Sequence, residues 1–333
     1  MVIDIFTHVF PKNIMERVEA ISPNYGYMGG AVRNMAMLHD MDRRCRDMDV
    51  AGDYAQIISM GSPPIEEIVE TPKQATEIVR TANDAMAELV RRHPDRFPGF
   101  VASVALLDMD GAMKEIDRAV NDLGASGIQI YTDVKGQPLD EPAFAPVFSA
   151  MAAHGLPIWL HPTRTPYAPD YPTETQSKDM IWLILGWPFA TAVAMYRLVA
   201  AGIFERNPGL KIITHHMGGM IPFHATRVEG ALLRVMRDRA RAEAPGAGPH
   251  MRRSPLEALR TFYGDTAMHG NVNGVRCGLE FFGDNNSVFA SDHPYGMIGQ
   301  HIDMMDRLEL EEPALRKIMS GNAERLMRRP KKG

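Results

Sequence analysis

Eight short apolar segments alternate with helical patterns along this chain of 333 residues. Each segment is nearly continuous in apolar character, as expected for parallel strands that are covered on both faces. Alternating strands and helices imply a parallel sheet with right-handed crossovers, and eight such units predict closure into a (β/α)₈ TIM barrel of the α/β class. The predicted strands are residues 2–7, 55–60, 99–106, 127–131, 157–160, 211–214, 260–263 and 287–290.

Helical periodicity fills the intervals between those strands, and proline or glycine ends several of the helices. A doubly wound open sheet is the structural alternative. That fold needs a glycine-rich phosphate turn after the first strand, and residues 7–11 contain no glycine. The predicted helices are residues 71–93, 108–122, 141–153, 186–204, 254–259 and 313–327.

The domain organisation is predicted to be simple. We expect one domain over residues 1–327 and a frayed basic tail over residues 328–333. Two segments, 11–50 and 162–184, exceed ordinary loop lengths, and we interpret them as insertions after strands one and five. Long loops at the C-terminal ends of barrel strands usually shape the pocket.

The composition excludes several classes of protein. Hydrophobic residues make up 45% of the chain and charged residues 23%, which is typical of a soluble globular protein. The net charge of −5 predicts no nucleic-acid partner but allows a small anionic substrate. Two cysteines, Cys45 and Cys277, do not suggest a disulfide framework. The N-terminus lacks the basic region of a signal peptide, and charge or proline interrupts the longest apolar stretches. We therefore expect a cytoplasmic protein without a membrane span.

Histidine and aspartate residues occur at the ends of several predicted strands. Because the C-terminal ends of barrel strands meet at one mouth, residues that are distant in sequence converge there. Neutral imidazoles and a carboxylate are the usual ligands of zinc and related metals. A lone histidine at a strand end is more often structural, whereas several at the same end of different strands indicate a site. These residues are His8, His161, His215, His216, Asp265 and Asp292.

Five segments carry a resemblance to a known family. In chain order they are MVIDIFTHVFP, LPIWLHP, KIITHHMGGMIP, YGDTA and FASDHPYG. With these segments the chain resembles the amidohydrolase-related proteins of the amidohydrolase superfamily, in the branch of aminocarboxymuconate-semialdehyde and γ-resorcylate decarboxylases. The resemblance runs from the first strand to Asn322. It implies an enzyme that uses one divalent metal, with zinc expected first and manganese, iron or cobalt as alternatives.

The resemblance also implies roles for particular residues. His8, His161 and Asp292 match the metal ligands. His216 and Asp292 match the catalytic residues, which activate water or substrate and carry a proton. Arg227 matches an arginine that contacts the carboxylate of the substrate.

Phe6 departs from the family pattern, which has a histidine or glutamate ligand at this position. A benzyl side chain cannot bind a metal, so three protein ligands and water remain, and we expect weaker metal binding. Strand alternation places Asp4, Phe6 and His8 on one face. We therefore interpret Phe6 as a substrate-binding residue that packs against an apolar or aromatic substrate. The alternative is that Phe6 belongs to the barrel core.

Two further residues have a supporting role in this interpretation. We interpret His215 as a neighbour that packs behind His216. Asp265 either hydrogen-bonds a histidine or has a structural role.

Three functions are open on this sequence. The leading hypothesis is metal-dependent, non-oxidative decarboxylation of a small aromatic or unsaturated carboxylic acid, with the metal as Lewis acid. The alternative is metal-dependent hydrolysis of an ester, lactone or amide, since the same residues can activate water. A third hypothesis, prompted by Phe6, is a non-catalytic subunit that supports an active relative in a mixed oligomer. For the enzyme we expect a small-molecule carboxylate as substrate and a homodimer or higher homo-oligomer.

Overall fold

The computed structural model describes residues 1–22, 26–243 and 253–327. Eight parallel strands form one sheet, and their order in the sheet follows the chain. The predicted tail, residues 328–333, lies outside the described residues. The strands are β1 (Val2–Val9), β2 (Tyr54–Met60), β3 (Gly99–Ser103), β4 (Gly127–Tyr131), β5 (Ile158–His161), β6 (Ile212–Thr214), β7 (Tyr263–Asp265) and β8 (Ser287–Val288).

Backbone hydrogen bonds bring the two edges of this sheet together. The N–H of Ile5 donates to the carbonyl of Phe289 at 3.0 Å, and the N–H of His8 donates to the carbonyl of His293 at 2.7 Å. Thr7 and His293 also form a parallel bridge. The (β/α)₈ barrel predicted from the sequence is therefore confirmed.

Helices surround the barrel and also occupy the long segments that follow β1 and β5. The segment after β1 contains three helices, and the segment from β5 to β6 contains another three. In chain order the helices are α1 (Lys12–Ile21), α2 (Gly29–Asn34), α3 (Met41–Asp49), α4 (Pro72–Arg92), α5 (Met109–Arg118), α6 (Ala145–His154), α7 (Ile181–Ile184), α8 (Gly186–Ala200), α9 (Ile203–Arg206), α10 (Ala225–Glu243), α11 (Pro255–Leu259), α12 (Val272–Phe282), α13 (Ile298–Asp306), α14 (Glu312–Arg316) and α15 (Asn322–Met327).

Helix α4 shows how local sequence sets these elements. The hydroxyl of Thr71 accepts the N–H of Gln74 at 3.3 Å, and the side chain of Gln74 accepts the N–H of Thr71 at 3.1 Å. This reciprocal capping satisfies backbone donors that the first helical turn leaves unpaired. Pro72 occupies the first turn, where its missing N–H costs nothing. The helix ends at Arg92, one residue short of the prediction.

The seventh strand lies three residues further along the chain than predicted. Residues 260–262 still belong to the turn that ends α11, since the N–H of Arg260 donates to the carbonyl of Leu256 at 2.9 Å. The strand then runs over Tyr263–Asp265 and pairs with β6 and β8. Because of this shift, Asp265 is the last residue of the strand, whereas the predicted strand ended two residues before it.

A small apolar cluster fills the interior of the barrel beneath the strand ends. It includes Phe6, Val101, Trp159 and Ile213, all of which are buried. The indole N–H of Trp159 donates to the carbonyl of Ile5 at 2.9 Å, so this side chain crosses from β5 to β1. Tight packing of this layer gives the strand ends above it a rigid base.

Helices α7 and α8 form a long apolar stretch. Residues Ile181–Ala200 have a mean hydropathy of 1.5, so by length and composition they could cross a membrane, which the sequence analysis did not expect. A single stretch of this kind is weak support for a span, because helices that cover a core can be equally apolar. Met195 and Leu198 of this stretch are buried in the main core.

Candidate active site

A pocket of about 690 Å³ opens at the C-terminal ends of the strands. Its walls carry the apolar side chains of Met28 from the segment after β1 and of Trp182, Leu183 and Trp187 from the segment after β5. The ionisable side chains of the pocket are histidines and an aspartate, and they come from β1, β5 and the segments after β6, β7 and β8. Those residues are His8, His161, His216, His269 and Asp292.

His8, at the end of β1, directs its Nε2 towards Asp292 in the pocket. Its Nδ1 lies 3.2 Å from the hydroxyl of Ser59, and that hydroxyl lies 3.1 Å from the carbonyl of Thr7. The single proton of this hydroxyl can point to the carbonyl of Thr7 or to Nδ1 of His8, so the contact fits either neutral tautomer of the imidazole. Nε2 is buried and lies 3.1 Å from Oδ1 of Asp292.

Arg44 holds the end of β1 in place. The guanidinium of this α3 residue is completely buried and donates to the carbonyl of His8 at 2.6 Å. It also donates to the side chain of Gln56 on β2 at 2.7 Å and to the carbonyl of Met37 at 3.2 Å. The segment after β1 therefore fixes the position of His8 through a buried cation.

His161 is held as a neutral imidazole. Its Nδ1 lies 2.6 Å from the carbonyl oxygen of Pro162, which can only accept, so Nδ1 carries the proton and Nε2 is free. Burial lowers the pKa of His161 well below its usual value, and repulsion from the imidazoles of His8 and His215 in their protonated forms lowers it further. A neutral histidine with a free Nε2 is the form that a metal ligand requires.

Asp265 organises the two histidines that follow β6. Its carboxylate accepts a hydrogen bond from Nδ1 of His215 and another, at 2.9 Å, from the backbone N–H of His216. Burial raises the pKa of Asp265 to about 6, although the charge of His216 opposes the rise. Burial also lowers the pKa of His215 well below its usual value, so this ring is neutral. Of the two interpretations of Asp265, the one in which it hydrogen-bonds a histidine is confirmed.

Asp292 lies between the imidazoles. Its Oδ1 is 3.1 Å from Nε2 of His8, and its Oδ2 is 3.9 Å from Nε2 of His216 and 3.7 Å from Nε2 of His269. Burial alone would raise the pKa of Asp292, but His216 and His8 outweigh it and hold this pKa well below its usual range. The same contact raises the pKa of His216 against the effect of burial. The pair is therefore a carboxylate beside a proton-carrying imidazole.

His269 belongs to the site and was missed by the sequence analysis. It follows β7 by four residues, and its ring is nearly parallel to that of His216, with a 16° interplanar angle and centroids 6.2 Å apart. The His301 side chain on α13 accepts the backbone N–H of His269 at 3.1 Å. The only sequence signal was its place in the run Asp265-Thr-Ala-Met-His269-Gly, which the early end of the predicted seventh strand obscured.

Left-handed backbone conformations are concentrated at the pocket. His216, His269 and Asp292 have φ values of 55°, 48° and 60°. Residues other than glycine adopt such values at a cost, which surrounding structure must offset, and they occur often at functional sites. The side chains of His216, His269 and Asp292 approach one another, and the backbone of each residue needs tertiary support.

Phe6 lies beneath the histidines and not in the pocket wall. Its side chain is buried, its ring stacks on His215 with centroids 3.3 Å apart, and its edge meets the ring of His8 at 4.4 Å. Strand alternation therefore placed it correctly on the face of His8. It is not among the residues that line the pocket, so its predicted contact with substrate stays a prediction.

Arg227 lies on α10, apart from the other predicted site residues. It is exposed and lines a separate groove with Phe189 and Val193 of α8 and Met220. The structure therefore brings His8, His161, His216 and Asp292 together and leaves Arg227 outside their pocket. Its predicted contact with a substrate carboxylate stays a prediction.

The donor atoms suit a divalent metal. Nε2 of His8 and Oδ1 of Asp292 are 3.1 Å apart, a distance at which the two atoms share either a proton or a cation. His216, His269 and Asp292 also offer ligand atoms that all lie within 4.8 Å of one another. Ligands of a tetrahedral metal with bonds of about 2.1 Å are about 3.4 Å apart. Among the described residues, His216, His269 and Asp292 form the grouping of three nearest to coordination geometry, and His8 adds a ligand atom beside Asp292.

The fold and the site together define an enzyme built on a (β/α)₈ barrel, with its reactive groups at the strand ends. The chain belongs to the amidohydrolase family, because the family model described as Amidohydrolase matches residues 3–329. It is 32% identical over 302 residues to the γ-resorcylate decarboxylase of Rhizobium radiobacter, covering 88% of each chain.

Solved structures show the same architecture. The crystal structure of 5-carboxyvanillate decarboxylase from Sphingomonas paucimobilis matches with a TM-score of 0.82 and 26% identity, over 99% of both chains. A dihydroxybenzoic acid decarboxylase from a Polaromonas species, with bound manganese and the inhibitor 2-nitroresorcinol, matches with a TM-score of 0.78 and 25% identity. That comparison covers 98% of this chain and 96% of the other. The predicted membership of the decarboxylase-like branch is thereby confirmed.

Proposed function

We propose that this chain is a metal-dependent, non-oxidative decarboxylase of a small aromatic or unsaturated carboxylic acid. The observation that carries the proposal is the position of Asp292, a buried carboxylate between His8 and His216 at the base of an aromatic pocket. The similarity to γ-resorcylate and 5-carboxyvanillate decarboxylases supports the same reaction class.

His8, His161 and Asp292 would hold the metal. The free Nε2 of His161 and the short distance between Nε2 of His8 and Oδ1 of Asp292 support this assignment, and His269 with His216 offers the competing grouping. When bound, the metal supplies a Lewis acid that polarises the substrate's carboxylate or an adjacent hydroxyl oxygen. The histidine-rich donor set suits zinc, whereas the manganese in the Polaromonas enzyme supports manganese, so a divalent metal is proposed and its identity is left to measurement.

His216 and Asp292 would handle the proton. Decarboxylation breaks the bond between the ring carbon and the carboxylate carbon, and a proton must replace carbon dioxide on the ring. Burial lowers the pKa of His216, but the contact with Asp292 outweighs burial, raises this pKa and so favours the protonated imidazole, while the lowered pKa of Asp292 keeps that group a carboxylate. We therefore assign the proton donor to His216, and Asp292 is the carboxylate that stabilises its imidazolium.

The aromatic walls would orient the substrate ring. The indole rings of Trp182 and Trp187 meet edge to face with centroids 6.1 Å apart, and Trp187 also meets the ring of His161 at 5.5 Å. Flat apolar walls favour an aromatic or unsaturated acid over a flexible aliphatic one. They also keep water away from the reacting carbon, which strengthens electrostatic interactions there.

An assay of two reactions tests the proposal. Purified protein loaded separately with Zn²⁺ and Mn²⁺ is given hydroxybenzoates, with carbon dioxide release as the readout, and a panel of lactones, with ring opening as the readout. We expect carbon dioxide release and no ring opening. Lactone hydrolysis without carbon dioxide would favour the hydrolase alternative, and inactivity with metal below about a tenth of an equivalent would favour the supporting subunit.

Two further expectations accompany this function. We still predict that the protein forms a homodimer or a higher homo-oligomer and that it is cytoplasmic. Exposed apolar side chains in the stretch of α7 and α8, such as Ile184, Leu185 and Phe189, are consistent with a subunit interface. Light scattering of the purified protein would measure the oligomeric state.

A further inference from the structure

Two hydroxyl groups in the pocket have no protein partner. Ser62, just beyond β2, and Tyr295, just beyond Asp292, both line the pocket. Both hydroxyl oxygens are buried, and neither forms a hydrogen bond within the described part of the chain. A buried hydroxyl without a partner is costly, so the partner of each hydroxyl comes from what fills the pocket, which is water before substrate binds and a substrate oxygen afterwards.

The two hydroxyls lie on the His8 side of the pocket. A Cβ atom at Gly61, the residue before Ser62, would be 3.6 Å from the hydroxyl of Tyr295 and 3.4 Å from Cβ of His8. The ring of Tyr295 lies 5.9 Å from that of His8, centroid to centroid. The Tyr295 hydroxyl is therefore at the end of β2, next to both Ser62 and His8.

Two other donors in the pocket are already in use. The hydroxyl of Tyr27 pairs with that of Thr163 at 3.4 Å, and the indole N–H of Trp187 donates to the carbonyl of Arg164 at 3.3 Å. Among the described residues, no lysine or arginine lines this pocket. Of the hydroxyl groups that line the pocket, those of Ser62 and Tyr295 are therefore the ones free to donate to an anionic substrate oxygen.

We propose that Ser62 and Tyr295 bind the carboxylate of the substrate. This assignment rests on the proposed function, because it identifies the group that is lost. The carboxylate becomes neutral carbon dioxide as the bond breaks, so its donors must hold it without favouring the charged starting state strongly. Two neutral hydroxyl donors orient the group with a weak hold, which suits a group that must lose its charge.

Isosteric removal of each oxygen tests the proposal. Calorimetry on the metal-loaded protein measures the affinity for benzoate, which has a carboxylate alone, and for phenol, which has a hydroxyl alone. Tyr295→Phe and Ser62→Ala should each weaken benzoate binding about ten-fold and leave phenol binding within about two-fold, as expected for one hydrogen bond to a charged group. The matched control is Tyr27→Phe, whose hydroxyl is already paired, and it should keep the preference for benzoate over phenol.

Melting temperature separates binding from folding. Because the two hydroxyls are unpaired in the protein, their removal should not lower the melting temperature. A lower melting temperature with unchanged benzoate affinity would overturn the proposal, as would loss of phenol binding alone or a wild-type protein that does not bind benzoate. The proposed function is tested separately by carbon dioxide release. If the variants bind benzoate more weakly but the wild type releases no carbon dioxide, the carboxylate site is supported and the proposed decarboxylase function is contradicted.

Discussion

Two buried aspartates, Asp4 and Asp292, lie in the same barrel and have opposite surroundings. Asp4 is on β1 and accepts hydrogen bonds from the hydroxyls of Tyr54 and Ser291 and from the backbone N–H groups of Ser291 and Phe6. Asp292 follows β8 and faces the imidazole nitrogens of the pocket. One carboxylate has its donors supplied by the fold, and the other has capacity left for a ligand.

The pKa values move in opposite directions for that reason. Burial raises the pKa of Asp4 to about 7, because hydrogen bonds from neutral groups offset only part of the cost of a buried charge. His216 and His8 hold the pKa of Asp292 low despite similar burial. Burial alone therefore does not identify a functional carboxylate in this chain, whereas the partners of the carboxylate do.

The largest expected effect separates the two aspartates by activity. Asp292→Asn should lower kcat/KM for decarboxylation by about 10²–10⁴-fold, the usual contribution of a positioned proton-transfer group. Asp4→Asn is the matched control, and its effect on kcat/KM should be smaller because Asp4 does not line the pocket. Steady-state kinetics on both metal-loaded variants make the comparison. Equal losses would show that the pocket carboxylate has no special role.

The next effect is on stability as a function of pH. Because the pKa of Asp4 rises from 3.8 to about 7 on folding, the folded state binds this proton more tightly. The stabilisation is present below about pH 4 and is lost as the pH rises through 7, a change of about 4 kcal/mol. Urea unfolding of the wild type and Asp4→Asn between pH 4 and 7 measures it. A constant difference between the two proteins across that range would contradict the raised pKa.

A smaller effect distinguishes the two possible metal groupings around Asp292. His161→Ala should lower metal affinity by about ten-fold or more and leave the fold intact, since it removes one of three ligands above a packed layer. His269→Ala removes a half-exposed histidine and should keep most of the metal. Elemental analysis and competition with a chelator give both values. Loss of metal in His269→Ala alone would place the metal with His216 and His269.

The barrel was predictable from the sequence because its signals are local. Apolar runs mark the strands, and caps such as Thr71 with Gln74 mark helix ends. Helices α10, α12 and α13 were left without a prediction, and so were the helices within residues 11–50. Those elements are amphipathic or short, and packing against the barrel stabilises them more than their own sequence does.

The site was predictable only where strand ends determine it. His8, His161, His216 and Asp292 converge because the barrel topology requires it. His269 depends on a left-handed backbone that α13 supports through His301, and Ser62 and Tyr295 depend on which hydroxyls the folded chain leaves unpaired. Such properties arise from tertiary contacts and have no local sequence signal.

The most direct test of the proposed reaction is the fate of the proton. Metal-loaded protein is incubated with 2,6-dihydroxybenzoate in deuterium oxide, and the product is examined by nuclear magnetic resonance. The site predicts resorcinol with one deuterium on the carbon that lost carbon dioxide, at a rate that falls sharply in Asp292→Asn. The contradicting result is a protein that retains its metal and leaves 2,6-dihydroxybenzoate and every other hydroxybenzoate tried intact.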